Sequence, residues 1–315
     1  MSTCTRSSAD LQEPVTATAA PARTWLLIEQ AGPWGAKALT SSHLDQAVGR
    51  ELDRLSKGTG VRVGLIRRPG RHADPPHAGG AHTRRHVILA HTAPHDPWVR
   101  TTDLTTPADL TELDFAALGA GAHGGFGGPH EGPPLTLVCT NGKRDRCCAL
   151  HGRPLAAELA ASGGSEVWET SHLGGHRFSP TVLVLPYGYL YGRVNAHHAK
   201  AVLEATRAGR VVIDNCRGRS AWERPGQAAE LAVRALTGED LAAALTVRHT
   251  EPLPAPAGGW TVQVAHTDGR AWQATVEATA AQPPRPESCG AALGSPSVMN
   301  VTAIEPVTDP FQGLS

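Results

Sequence analysis

The sequence predicts an α/β protein: a smaller α/β domain, then a second α/β domain, then a β-rich C-terminal module. Three observations carry this. Short apolar runs of strand length alternate with helix-length repeats from residue 23 onward. A Gly-dense stretch, GAGAHGGFGGPHEGPP (119–134), separates two such series. After residue 239 the helical repeat gives way to alternation of period two.

The elements follow in order. Residues 1–22 are polar, aperiodic and rich in Pro, Ala and Thr, which predicts a disordered tail that includes Cys4. The N-terminal α/β domain covers 23–118. Its strands are TWLLIE (24–29), VRVGLI (61–66), HVILAH (86–91) and WVRTTD (98–103). Leu44, Val48, Leu52 and Leu55 repeat at helical spacing behind a capping pair, Ser42 and Asp45. A turn-rich loop fills 69–85, and a short helix around DLTELDFAAL closes the domain. The linker 119–134 holds His123 and His130, expected to be solvated. The second domain spans 135–238. It reads as strand LTLVCT (135–140), helix 148–162 ending at Gly163–Gly164, and strand EVWETS (166–171). Strand TVLVLP (181–186) follows, turning at Tyr187–Gly188 into YLYGRV (189–194). Asn195 caps a helix through Ala208, and QAAELAVRAL (227–236) is another helix. The order strand, helix, strand, strand, helix is that of a thioredoxin-like fold among small α/β folds. In the module 239–315, WTVQVAHTDG and RAWQATVEA form a hairpin around Thr267–Asp268–Gly269, and SVMNVTAIEPV (296–307) adds a strand.

Composition narrows the function. The chain has 29 basic and 29 acidic residues, so it lacks the basic surplus of a nucleic-acid binder. No apolar run reaches the roughly 18–20 residues that cross a bilayer, and no membrane partner is expected. The N-terminus lacks a basic start followed by an apolar block, so no secretory signal and a cytoplasmic location are expected. The six cysteines are then thiols or ligands rather than disulfides.

Cys4 in the tail is expected to be inert, and the isolated Cys216 and Cys289 read as small hydrophobes. The informative group is VCTNGKRDRCCALHG. Cys139 ends a strand, seven residues intervene, and Cys147 and Cys148 open a helix. A thiol at a helix N-terminus beside Lys143, Arg144 and Arg146 has its thiolate favoured by the dipole and by charge. Downstream, SHLGGHRF places His172 and His176 four residues apart. Gly174–Gly175 disfavours a helix there but allows a tight turn on which both imidazoles converge. Two Cys and two His complete a four-ligand set, although the same residues also describe a glycine turn with two solvated histidines. The set suits structural zinc. The spacing between the cysteines exceeds that of most zinc fingers, which favours a larger centre such as two sulfide-bridged irons.

VCTNGKRDRCC, SHLGGHRFSPTVLVLPYGYLYGRV and CRGRSAWERPGQAAE together resemble the sucrase/ferredoxin-like family, and TWLLIEQAGPWGAKAL is similar to the start of its bacterial members. The resemblance runs from Trp25 to Leu236, with a weaker echo at SCG (288–290). It implies a thioredoxin-like ferredoxin domain with a [2Fe–2S] cluster held by two Cys and both histidines of H-x-G-G-H. Carried residue by residue, the ligands are Cys139, Cys148, His172 and His176. The vicinal Cys147 departs from the fungal pattern and is the alternative second thiolate. Two ferric ions, two sulfides and two thiolates cancel in charge, so reduction is easier than for an all-cysteine cluster that starts negative. The free imidazole nitrogens are expected to couple proton to electron transfer, lowering the potential as pH rises.

The implied protein is an electron carrier or redox-responsive protein acting with a redox partner protein, rather than a stand-alone enzyme. Lys143, Arg144 and Arg146 are candidates to dock that partner or to offset cluster charge. Pro180 holds the place of the thioredoxin-fold cis-proline, while Arg217, Arg219 and Trp222 have no role legible in the sequence. The competing readings are structural zinc on the same four residues and thiol–disulfide exchange through Cys147–Cys148. Sucrose hydrolysis is disfavoured. Glu166, Glu169 and Asp145 could supply carboxylates, but only 14 aromatic residues are present and no carbohydrate-binding stretch accompanies them.

Overall fold

The eight apolar runs read as strands between Thr24 and Val194 all join one sheet, most of them buried on both faces between layers of helix and loop, while Trp98–Leu104 is half-buried. A computed structural model describes residues 3–70, 84–163, 166–254 and 258–307. Most of the loop expected at 69–85, and Gly164 after the expected helix, lie outside those residues. The N-terminal half contains α1 (Cys4–Asp10), β1 (Thr24–Glu29), α2 (Gln46–Ser56), β2 (Val61–Arg67), β3 (Arg85–His91), β4 (Trp98–Leu104), α3 (Phe115–Gly119) and β5 (Gly128–Pro129). Next come β6 (Leu135–Cys139), α4 (Arg146–Ser162), β7 (Glu166–Thr170), β8 (Val182–Leu185), β9 (Tyr189–Tyr191), α5 (Ala196–Arg207), β10 (Cys216–Arg219) and α6 (Arg224–Thr237). The C-terminal part contributes β11 (Leu245–Pro252), β12 (Trp260–His266), β13 (Ala271–Ala280), β14 (Arg285–Pro286), β15 (Leu293–Gly294) and β16 (Ser297–Pro306).

One ten-stranded mixed sheet runs β10-β9-β8-β6-β7-β2-β1-β3-β4-β5, and a separate antiparallel sheet runs β11-β12-β13-β16. The two α/β series are therefore halves of a single sheet. They join where β2 meets β7 antiparallel at Ile66–Thr170 and Arg67–Glu169. The expected linker is likewise held to the sheet: β5 pairs with β4, and Phe126 packs on the adjoining core.

Within β6 the side chains alternate between two cores. Val138 faces α4 and α5, packing with Leu155, Leu159, Val202 and Leu203. Leu135, Leu137 and Cys139 face the other core with Trp25, Leu183 and Leu190. Each fully buried Leu contributes about 1.5–3 kcal/mol. The second core is closed by Ala19 and Ala22, which corrects the expectation of a disordered tail. Residues 3–22 form α1 and then an extended segment whose Glu13, Val15, Ala17, Ala19 and Ala22 are buried. The amides of Thr18 and Ala19 donate to the Arg217 carbonyl, and that of Ala22 donates to the Ser220 carbonyl. The small-residue composition that read as disorder lets this segment lie flat on the domain.

At the other end, Ala228, Ala229 and Val233 of α6 pack on Val262, Val264, Trp272, Ala274 and Val276 of the C-terminal sheet. The Ser179–Pro180 peptide is cis. Among the described residues no helix is long and apolar enough to cross a membrane.

Candidate metal centre

Parallel pairing of β6 with β7 brings the C-terminal ends of both strands to one edge of the sheet, so Cys139 and the loop that follows Thr170 emerge together. Asp145 caps α4 by accepting the Cys147 amide at 2.8 Å, which fixes where the helix starts. Gly152 then rests on β6: a Cβ there would collide with the Cys139 carbonyl. Cys148 lies one turn before Gly152 on the same helix face, and this contact turns its thiol toward Cys139.

The structure brings together all four residues that the sequence nominates. Cys148 Sγ lies 3.3 Å from His176 Nδ1, and the rings of His172 and His176 stack with centroids 4.8 Å apart. Cys139 is held well below the usual thiol range by a hydrogen bond from Cys148. Its burial opposes this, while His172 and the Leu173 amide assist. Cys148 is pushed up by the same bond and by burial. The pair thus favours a thiolate on Cys139 that accepts a hydrogen bond from the Cys148 thiol. Burial, and then the neighbouring His172, lowers His176, so its ring is neutral. His172 Nδ1 is buried without a hydrogen-bond partner.

The glycine turn is shaped by Arg217. Gly174 and Gly175 both take positive φ, 75° and 68°, and a Cβ on Gly175 would collide with the Arg217 guanidinium. That guanidinium donates to the Gly174 carbonyl at 3.0 Å, to the Thr18 hydroxyl at 3.0 Å and to the Thr18 carbonyl. A role for Arg217 follows: it locks the histidine loop to the N-terminal segment. Burial, and the neighbouring Arg177 charge, bring Arg217 down to about 9, and the Cys139 sulfur opposes that fall. Arg219 instead ties the Thr92 and Ala242 carbonyls together at 3.0 and 2.9 Å, a structural duty. Lys143, Arg144 and Arg146 are exposed.

Cys147 faces elsewhere. Successive helix residues point about 100° apart, and the Cys147 sulfur lies 3.7 Å from Cys4 and 3.3 Å from Cys289. Cys4 and Cys289 are 3.6 Å apart. Together with Asp145, these residues offer ligand atoms all within 4.8 Å of one another and could hold a metal ion. This corrects two expectations: Cys4 is neither disordered nor remote, and Cys289 is not an isolated hydrophobe. Their meeting joins positions 285 residues apart, which spacing does not reveal; the SCG echo at 288–290 was the one available signal. Cys216 is buried in the core beside β9, where burial pushes its thiol up to about 12.

No curated protein and no solved structure matches the chain. The sucrase/ferredoxin-like family model matches residues 15–218. That span takes in β6, the start of α4, the glycine turn and Arg217, so the chain belongs to the sucrase/ferredoxin-like family.

Proposed function

We propose that this chain is a [2Fe–2S] electron-transfer or redox-responsive protein whose cluster is held by Cys139, Cys148, His172 and His176. The observation that carries the proposal is the convergence of two thiols and two imidazoles, with His172 Nδ1 buried and unpartnered. An orphaned buried nitrogen costs about 1–3 kcal/mol unless something binds it, and an iron ligand position is such a partner. The donor set, two sulfurs and two imidazole nitrogens, suits iron. When bound, the cluster would supply one-electron chemistry at a higher potential than an all-thiolate centre.

The chain's own residues support that role. Arg217 is buried and Arg62 partly buried, and the Cys139 sulfur acts on the charge of each, so added negative charge at the centre would meet fixed positive charge. His172 lines a cavity of about 560 Å³ together with Lys37, Arg50, Arg62 and Arg144. One imidazole is therefore open to solvent, where its second nitrogen can exchange a proton, and the basic rim suits an acidic redox partner.

The test is anaerobic purification with an absorption spectrum and iron and sulfide analysis of the wild type, His172→Ala, His176→Ala and Cys139→Ser. The expected result is a coloured wild type with equal iron and sulfide, and a lost or shifted spectrum in each variant. A colourless protein carrying zinc at these residues would replace the proposal. Unshifted spectra in both histidine variants would remove the imidazoles from the site.

A further inference from the structure

We propose that Cys4, Cys147, Cys289 and Asp145 form a second metal site, a tetrahedral zinc site that clamps α1 and the loop after β14 onto the start of α4. It is separate from the cluster ligands, although α4 serves both through adjacent cysteines.

The distances suit a single ion. A tetrahedral zinc with Zn–S of about 2.3 Å and Zn–O of about 2.0 Å sets its sulfurs about 3.8 Å apart and sulfur to oxygen about 3.5 Å. The three sulfurs are separated by 3.3, 3.6 and 3.7 Å, and Cys4 Sγ lies 3.7 Å from Asp145 Oδ2. A multi-iron cluster would spread three thiolates over at least two metal atoms and so needs wider spacing for the set. Zinc accepts both thiolate and carboxylate ligands and is four-coordinate in structural sites, the number this set supplies.

The surroundings are prepared for negative charge. The Asp145 oxygens accept the Cys147 amide at 2.8 Å and the Cys289 amide at 2.7 Å. Each carboxylate oxygen has a further lone pair to offer a metal. The site also sits at the N-terminus of the 17-residue helix α4, whose dipole stabilises anionic ligands.

A second contact gathers the same segments. Arg177, in the histidine loop, pairs with Glu13 at 2.8 Å and with Glu287 at 2.8 Å, and Arg285 Nε lies 3.0 Å from the other Glu13 oxygen. The three strands of chain are thus held in register next to the thiols, which pre-forms the site. α1 has only 7 residues, too few to be a stable helix alone, and a metal cross-link would anchor it. Thr5 donates to the His176 carbonyl at 3.1 Å, so the anchored helix would also brace the histidine loop.

The test measures zinc and iron in the full-length protein, purified anaerobically from zinc-supplemented cells, as wild type, Cys4→Ser, Cys289→Ser and His172→Ala. The expected result is one zinc per chain in the wild type and in His172→Ala, and at least a tenfold loss of bound zinc in both cysteine variants. Cobalt added to zinc-stripped wild type should give the intense sulfur-to-cobalt absorption of a tetrahedral thiolate site, and this arm needs no variant to fold. The proposal is overturned if wild type holds no zinc and takes up no cobalt, if Cys289→Ser retains full zinc, or if a Cys147–Cys289 disulfide is found instead. Loss of iron in His172→Ala reports on the cluster site and leaves the zinc count as an independent readout.

Discussion

Gly175 shows how one residue sets the geometry of the histidine loop. Its φ of 68° suits glycine, and its missing Cβ leaves room for the Arg217 guanidinium. An L-residue there costs about 1–2 kcal/mol for the left-handed backbone alone. Arg217 is buried and tied at three oxygens, so it cannot swing aside cheaply. Gly175→Ala should therefore lower stability by about 2–3 kcal/mol and loosen whatever the histidines hold. Urea unfolding followed beside metal content checks this; a variant with wild-type stability and wild-type metal content would contradict the account. The same residue pair explains why the motif needs its arginine more than forty positions downstream.

Among the elements, α1 with the extended segment behind it is held in large part by polar contacts. Few apolar side chains hold it, and Glu13 stands between two arginines, Arg177 and Arg285, with its side chain almost fully buried. Removing one partner of a buried ion pair typically costs about 3–5 kcal/mol, because the remaining charge is left in a low-dielectric setting. Arg177 keeps Glu287, whose side chain is more exposed, so Glu13→Gln should cost somewhat less, about 2–3 kcal/mol. Hydrogen exchange would show the loss concentrated in residues 3–22 and the histidine loop. Uniform protection in the variant would mean that the segment is held by other contacts.

Across the whole molecule, the continuous sheet predicts that both α/β halves unfold together. The junction between β2 and β7 is short, two paired residues on each side, yet it carries a buried ion pair. Arg67 donates to Glu169 at 2.9–3.0 Å, Thr140 donates to the same carboxylate at 2.7 Å, and Arg67 stacks 4.0 Å over Trp34. Glu169→Gln leaves Arg67 buried and unneutralised, at a cost of about 3–5 kcal/mol. Calorimetry should record one lowered transition covering both halves. Two resolved transitions, with only one of them shifted, would show that the halves are independent domains.

The strands and most helices were legible because burial imposes a pattern on the sequence: short, β-branched apolar runs such as TWLLIE and TVLVLP, bounded by turn residues, read as interior strands. Cys139, Cys148, His172 and His176 were legible as a group because each lies at the end of such an element, and strand–helix order puts those ends at one edge. The order of residues 3–22 was not legible, since small residues that pack flat against a partner have the composition of a flexible tail. Nor was the fusion of the two halves into one sheet, which rests on two residue pairs at the β2–β7 junction. The apposition of Cys4, Cys147 and Cys289 was decided by tertiary structure alone. Proximity between chain ends depends on how layers stack and on ion pairs such as Glu13–Arg177, and local periodicity carries no record of either.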